Sequence, residues 1–189
     1  MISEDTQPGE RNGFVTENDP QIPDAENNAE VVSEGTCGEN VTWRLDSKGT
    51  LTLSETGPTT DYRHWSDVPW YRKNVRRVTV EAGITSIGDY FFHFQYFIEE
   101  ITLPESITRI GKSAYENCDR LEKVYLPDSI TEIGESAFES CDSLESFEFP
   151  LGLTEVPRWA LANCEHLRQV VLPESVTRIK ATRLISVGI

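Results

Sequence analysis

The sequence predicts a repeat solenoid: short parallel β-strands joined by short helical or 3₁₀ turns, preceded by an N-terminal β-hairpin cap. Three observations predict it. The first is a period. Ile-Gly recurs at Ile87-Gly88, Ile110-Gly111 and Ile133-Gly134, and its register continues at Val156-Pro157 and Ile179-Lys180. Pro104, Pro127, Pro150 and Pro173 keep the same step of 23 residues, as do Cys118, Cys141 and Cys164, and Ile98, Leu121, Leu144 and Leu167. Four columns in one register mark stacked supersecondary units. The second is the pattern inside each unit, where a short alternating apolar run stops at a proline. The third is size, since one such unit buries too little apolar surface to offset its ordering entropy and must stack on neighbours.

The elements follow in chain order. Residues 1–36 hold nine acidic residues and a single basic one, Arg11, with three prolines and one aromatic, Phe14. Such a stretch lacks the apolar side chains needed to fold, so residues 1–35 are expected to be a disordered acidic tail or linker, with an acidic interaction tail as the alternative. The start of the chain has neither the basic residues nor the apolar core of a secretory leader, and no run is long enough to span a membrane.

Residues 36–74 are expected to form the cap. Val41-Thr42-Trp43-Arg44-Leu45 and Thr50-Leu51-Thr52-Leu53 alternate like strands around the turn Asp46-Ser47-Lys48-Gly49. Residues 55–74 then bring Tyr62, Trp65, Trp70 and Tyr71. With Trp43, these aromatics read either as the small core of the cap or as a platform on which sugars stack, and the core reading is favoured because a short cap has few other large residues to bury.

Residues 75–189 are expected to be the solenoid, with repeats near 75–97, 98–120, 121–143 and 144–166 and a divergent unit over 167–189. In the unit that starts at Leu121, the stretch to Leu126 suits a strand, Ser129–Ile133 a second extended piece, Gly134 a turn, and Ser136–Cys141 one helical or 3₁₀ turn. After Ile179 the pattern lapses, which leaves open a truncated solenoid, a tail that covers the end, or association there.

Residues 127–144 bear a close likeness to a known unit, and the likeness extends over about residues 75–179. Pro127-Asp128-Ser129-Ile130-Thr131-Glu132-Ile133-Gly134-Glu135-Ser136-Ala137-Phe138-Glu139-Ser140-Cys141 resembles the repeat of BspA-type leucine-rich repeat proteins. Cys37-Gly38-Glu39-Asn40-Val41-Thr42-Trp43 and Pro69-Trp70-Tyr71 resemble the module that precedes such repeats in surface proteins of gut-type anaerobic bacteria. The resemblance implies an extracellular or cell-surface binding protein, often adhesive, with no catalytic activity. A structural spacer within a larger surface protein is the alternative.

The net charge of −15 argues against nucleic acid and anionic membranes as partners, because phosphate needs a basic face. No cofactor is expected. Cys118, Cys141 and Cys164 stand one per repeat rather than in the close pairs of a zinc site, so they read as a buried structural ladder, although adjacent rungs lie within disulfide reach. Gly111-Lys112-Ser113 lacks the preceding glycine of a phosphate loop. His64, His93 and His166 fall in different columns and suggest no nucleophile or general base.

The candidate partner face consists of the outward positions of the strands: Arg76, Glu99, Glu122, Glu145 and Arg168 in one column, with Glu100, Lys123, Tyr125 and Glu148 beside them. Its acidic centre fits a protein or glycan ligand, and a basic one if charge is used. A second candidate is an aromatic patch in the first repeat, Tyr90, Phe94, Tyr96 and Phe97, with Gln95 where later units carry cysteine. It reads either as an exposed site or as packing against the cap, with packing favoured.

Overall fold

The computed structural model describes residues 29–180. Three antiparallel strands come first: β1 (Val31–Gly38), β2 (Val41–Asp46) and β3 (Thr50–Glu55). Alternation forms β2 and β3, whose Val41, Trp43, Leu45, Leu51 and Leu53 are buried. Asp46 closes the turn between them by accepting the backbone N–H groups of Lys48 and Thr50. Strand β1 begins inside the segment expected to be a tail, so that expectation fails for residues 31–35, which pair with β2. The remainder of that expectation, residues 1–28, lies outside the described residues.

Strand β3 also pairs in parallel with β5 (Arg77–Val80), and β4 (Gly57–Pro58) with β6 (Ile84–Ile87). The solenoid therefore starts within the N-terminal module. Pairs β7/β8 (Glu100–Thr102, Arg109–Ile110), β9/β10 (Lys123–Tyr125, Glu132–Ile133), β11/β12 (Ser146–Glu148, Glu155–Val156) and β13/β14 (Gln169–Val171, Arg178–Ile179) complete about six turns. The expected four full units and a divergent fifth become six, because β3/β4 act as a first rung without carrying the repeat motif. The odd-numbered strands from β3 to β9 share one sheet, and β4, β6, β8 and β10 share another. Isoleucine, leucine, valine and phenylalanine from every rung fill the space between them.

The segment from the Gly column to the Cys column is not helical. Each one carries two left-handed residues in the same columns: Tyr90 and Phe94, Ser113 and Asn117, Ser136 and Ser140, Trp159 and Asn163. This alternation turns successive N–H groups toward the next rung. Tyr90, Phe92 and Phe94 donate to the carbonyls of Lys112, Ala114 and Glu116, and the next two rungs repeat the pattern. A 3₁₀ turn would have kept those bonds internal. Gly134 likewise is not needed for a left-handed turn. It lacks a positive φ, and a Cβ there would overlap the Lys112 amide of the preceding rung. Close backbone approach selects glycine.

The first rung's carbonyls meet donors from the N-terminal module instead of from another repeat. Asp89 O accepts from Tyr62 N (3.1 Å), and Phe91 O accepts from the buried Trp70 Nε1 (3.0 Å). Arg109 adds a polar tie across four rungs, reaching Asp61 at 2.9 Å, Asp89 at 2.7 Å and Glu132 at 3.4 Å.

Both sheets break between β9/β10 and β11/β12. Ser106, Ser129 and Ser175 each donate their hydroxyl to a carbonyl of the preceding rung, but that column holds Gly152 here. Gly111, Gly134 and Lys180 each donate a backbone N–H across the same gap, but that column holds Pro157, which has none.

Candidate functional site

The strand face presents its side chains in register. Arg77, Glu100 and Lys123 are aligned partners on β5, β7 and β9, as are Thr79, Thr102 and Tyr125. On the far side of the break, Ser146 and Gln169, then Glu148 and Val171, align on β11 and β13. Arg76, Glu100, Glu122, Lys123, Tyr125, Glu145, Glu148 and Arg168 are exposed, and Glu99 is half-buried. Glu99 lies 3.9 Å from Arg76, and Glu100 lies 4.0 Å from Arg77. Among the described residues, no cationic side chain comes within ion-pair distance of Glu122, Glu145 or Glu148. The acidic centre is therefore narrower than the columns suggest and sits over β9 and β11.

Two apolar groups punctuate that centre. Tyr125 is 77% exposed and Leu151 is 63% exposed. With Val171 they edge a groove of about 590 Å³ that lies over the break between the sheets. Beside it, Glu122 and Glu145 share a smaller groove with Ser143 and His166. Exposed acids thus flank a large exposed tyrosine, a residue type that supplies contact area at low entropic cost.

The aromatic patch of the first repeat divides. Tyr90 stands apart, half-buried, with its ring 5.7 Å from His93 and the Lys112 ammonium 5.9 Å away. Phe94, Tyr96 and Phe97 line a cavity of about 410 Å³, and Trp65 and Tyr71 from the N-terminal module complete it. The two readings of the patch describe one arrangement. Phe94 packs edge-on against Trp65 at 5.1 Å, while Tyr96 and Phe97 remain 44% and 43% exposed. The three N-terminal tryptophans also divide, because Trp43 and Trp70 are core, with rings 5.7 Å apart, and Trp65 is half-buried at the cavity wall.

Gln95 forms part of this cavity. It occupies the cysteine column, is 4% exposed, and its side-chain amide has no hydrogen-bond partner among the described residues. Arg72 and Lys73 stand at the rim, and Arg120 lies over the Phe97 ring at 5.1 Å. Sequence reasoning singled out Trp65 and Tyr71 as cap aromatics but did not join them to the first repeat, and it missed Arg72 and Lys73, because all four belong to the aperiodic stretch between β4 and β5. The signals in the first repeat were its aromatic departures at Phe94, Tyr96 and Phe97 and the loss of cysteine at Gln95. His93, buried behind Trp65, has its imidazole pKa lowered by burial to about 4. It is neutral at pH 7, so its 3.4 Å approach to Glu116 is not an ion pair.

The cysteines are inert. Cys118, Cys141 and Cys164 are free and buried, and their thiols donate to the carbonyls of Phe92, Tyr115 and Phe138 at 3.3, 3.2 and 3.2 Å. Burial pushes all three thiols up, Cys164 to about 11, which removes the thiolate that reactivity requires. Among the described residues no helix is long and apolar enough to cross a membrane.

Residues 66–184 match, in six copies, the family model described as BspA type leucine rich repeat region. A solved leucine-rich repeat protein from Eubacterium ventriosum is similar at 30% identity, with a TM-score of 0.69 over 78% of this chain and 40% of its own. One from Bacteroides ovatus follows at 25% identity and a TM-score of 0.55, covering 73% of this chain and 41% of its own. A leucine rich cell surface protein from Faecalibacterium prausnitzii shares the fold at 24% identity and a TM-score of 0.58, over 79% of this chain and 45% of its own. The chain thus spans less than half the length of these relatives. No curated protein shows significant similarity to it.

Proposed function

Because the chain belongs to the BspA-type leucine-rich repeat family, we propose that it is a noncatalytic binding module that presents its strand face to a protein partner at a bacterial surface. The observation that carries this reading is the group of exposed side chains Tyr125, Glu122, Glu145 and Glu148 that flanks the break between β9 and β11. Unpaired carboxylates beside an exposed aromatic favour a basic partner with an apolar anchor, since rim charge steers encounter and a buried aromatic supplies affinity. The surface location draws support from the printed description of the Faecalibacterium prausnitzii relative as a cell surface protein.

The test uses a displayed peptide library selected against the full chain. Basic sequences with an aromatic or aliphatic residue are expected to be enriched. Glu122→Ser/Glu145→Ser/Glu148→Ser should weaken their binding by about tenfold or more while far-UV circular dichroism stays unchanged, and Tyr125→Ser should do likewise. Binding that survives both variants overturns the strand-face reading. A selection that enriches nothing favours a spacer role instead.

A further inference from the structure

The aromatic cavity between the N-terminal module and the first repeat is a built pocket that the strand-face reading does not use. We propose that its occupant is this chain's own segment Asp19-Pro20-Gln21-Ile22-Pro23-Asp24. Three observations on the cavity and one on the chain carry the assignment.

The first is shape and chemistry. Trp65, Tyr71, Tyr96 and Phe97 offer aromatic faces around an opening of about 410 Å³. Pro20 and Pro23 are three residues apart, and proline restricts both itself and the residue before it to extended backbone. Prolines at that spacing share one ridge whenever a chain takes the polyproline II form, which aromatic-lined grooves accept at small entropic cost.

The second is Gln95, 4% exposed and bordering the cavity, whose side-chain amide makes no hydrogen bond among the described residues. A ligand with acceptors can supply the hydrogen bonds that the protein does not. A proline-containing segment offers free carbonyls, which the amide NH₂ can meet. The third is charge. Arg72, Lys73 and Arg120 stand around the opening, and none of them makes an ion pair among the described residues, in a chain of net charge −15. Asp19 and Asp24 flank the two prolines, with Glu26 close behind.

The last observation is reach. Lys73 and Asn74 line this cavity and also an adjoining groove whose other wall is Val32 and Ser33 of β1. The chain thus enters the described fold beside the cavity. The eight-residue step from Pro23 to Val31 covers roughly 25 Å at about 3.1 Å per residue.

The experiment titrates a synthetic peptide of residues 15–28 into two full-length proteins: the natural chain and Pro20→Ala/Ile22→Ser/Pro23→Ala. Binding is read from the NMR shift of the Trp65 indole N–H. A tethered segment competes at an effective concentration near millimolar, so the natural chain should bind the peptide about tenfold more weakly than the tail variant. Adding Tyr96→Ser/Phe97→Ser to the tail variant, at two exposed positions that leave the core intact, should abolish binding. Equal affinity for both full-length proteins, no binding to the tail variant, or binding that survives the Tyr96 and Phe97 changes overturns the proposal. Two other occupants would also overturn it. A dimer seen by sedimentation in the natural chain and lost in the tail variant assigns the cavity to a second copy's tail. Indole shifts with N-acetylated oligosaccharides but not with the peptide assign it to a glycan. The strand-face reading stands or falls separately.

Discussion

Tyr115 shows how one atom can disagree with its column. Its ring stacks between Phe92 and Phe138, with centroids 5.3 and 5.0 Å away, in a position where both neighbours are phenylalanine. The hydroxyl is fully buried and has no hydrogen-bond partner among the described residues. A buried polar group without a partner costs about 1–3 kcal/mol, while the hole left by removing one oxygen costs less. Tyr115→Phe is therefore expected to stabilise the protein by about 1 kcal/mol in urea denaturation, and a loss of stability would show that the hydroxyl is satisfied. The cysteine ladder makes the converse point, because there the polar atom has its acceptor in every rung that carries it.

At the scale of elements, the N-terminal module works by supplying donors to carbonyls that a further repeat would otherwise satisfy. Trp70 does this with a side chain, placing its indole N–H where the backbone N–H of a preceding rung would stand. Trp70→Phe keeps an aromatic ring in the core but strands the Phe91 carbonyl and loses volume. Destabilisation of about 2–4 kcal/mol is expected, read from the urea midpoint, and a change under about 0.5 kcal/mol would remove the donor argument. The repeat elements were legible in the sequence because each rung has the same neighbours, so the same residue returns every 23 positions. Strand β1 was not legible. It lies at the sheet edge, pairs on one side only, and buries only Cys37, so neither alternation nor composition marks it. The cavity was half legible: Phe94, Tyr96 and Phe97 stand out as departures from the pattern, but Trp65 and Tyr71 come from a stretch with no period to depart from. The left-handed turns were misread as helical, since serine and asparagine at those positions suit either conformation until the bonds to the next rung are counted.

Across the whole molecule, the break between the third and fourth repeats divides an otherwise continuous ladder. The turn edge still crosses it, through Ser136, Phe138 and Ser140 donating to the carbonyls of Arg158, Ala160 and Ala162, but both strand sheets stop. In a solenoid, stability is a sum of units and nearest-neighbour interfaces, so a weakened interface separates the cooperative blocks. Amide exchange in low urea is expected to show residues 144–180 opening before residues 41–133. Uniform protection that is lost in one step would show that the turn edge alone holds the blocks together. The groove edged by Tyr125 and Leu151 lies over this line, so a partner seated there would also bridge the two blocks.

The turn ladder has one more consequence. The N–H groups that link its rungs point toward the following rung and their acceptor carbonyls toward the preceding one, so these peptide dipoles add along the turn edge instead of cancelling. The end at the N-terminal module is the negative pole, as the C-terminus of an α-helix is. Cations gain there and anions lose, which gives an electrostatic reason for Arg72 and Lys73 to gather at that end of an acidic molecule.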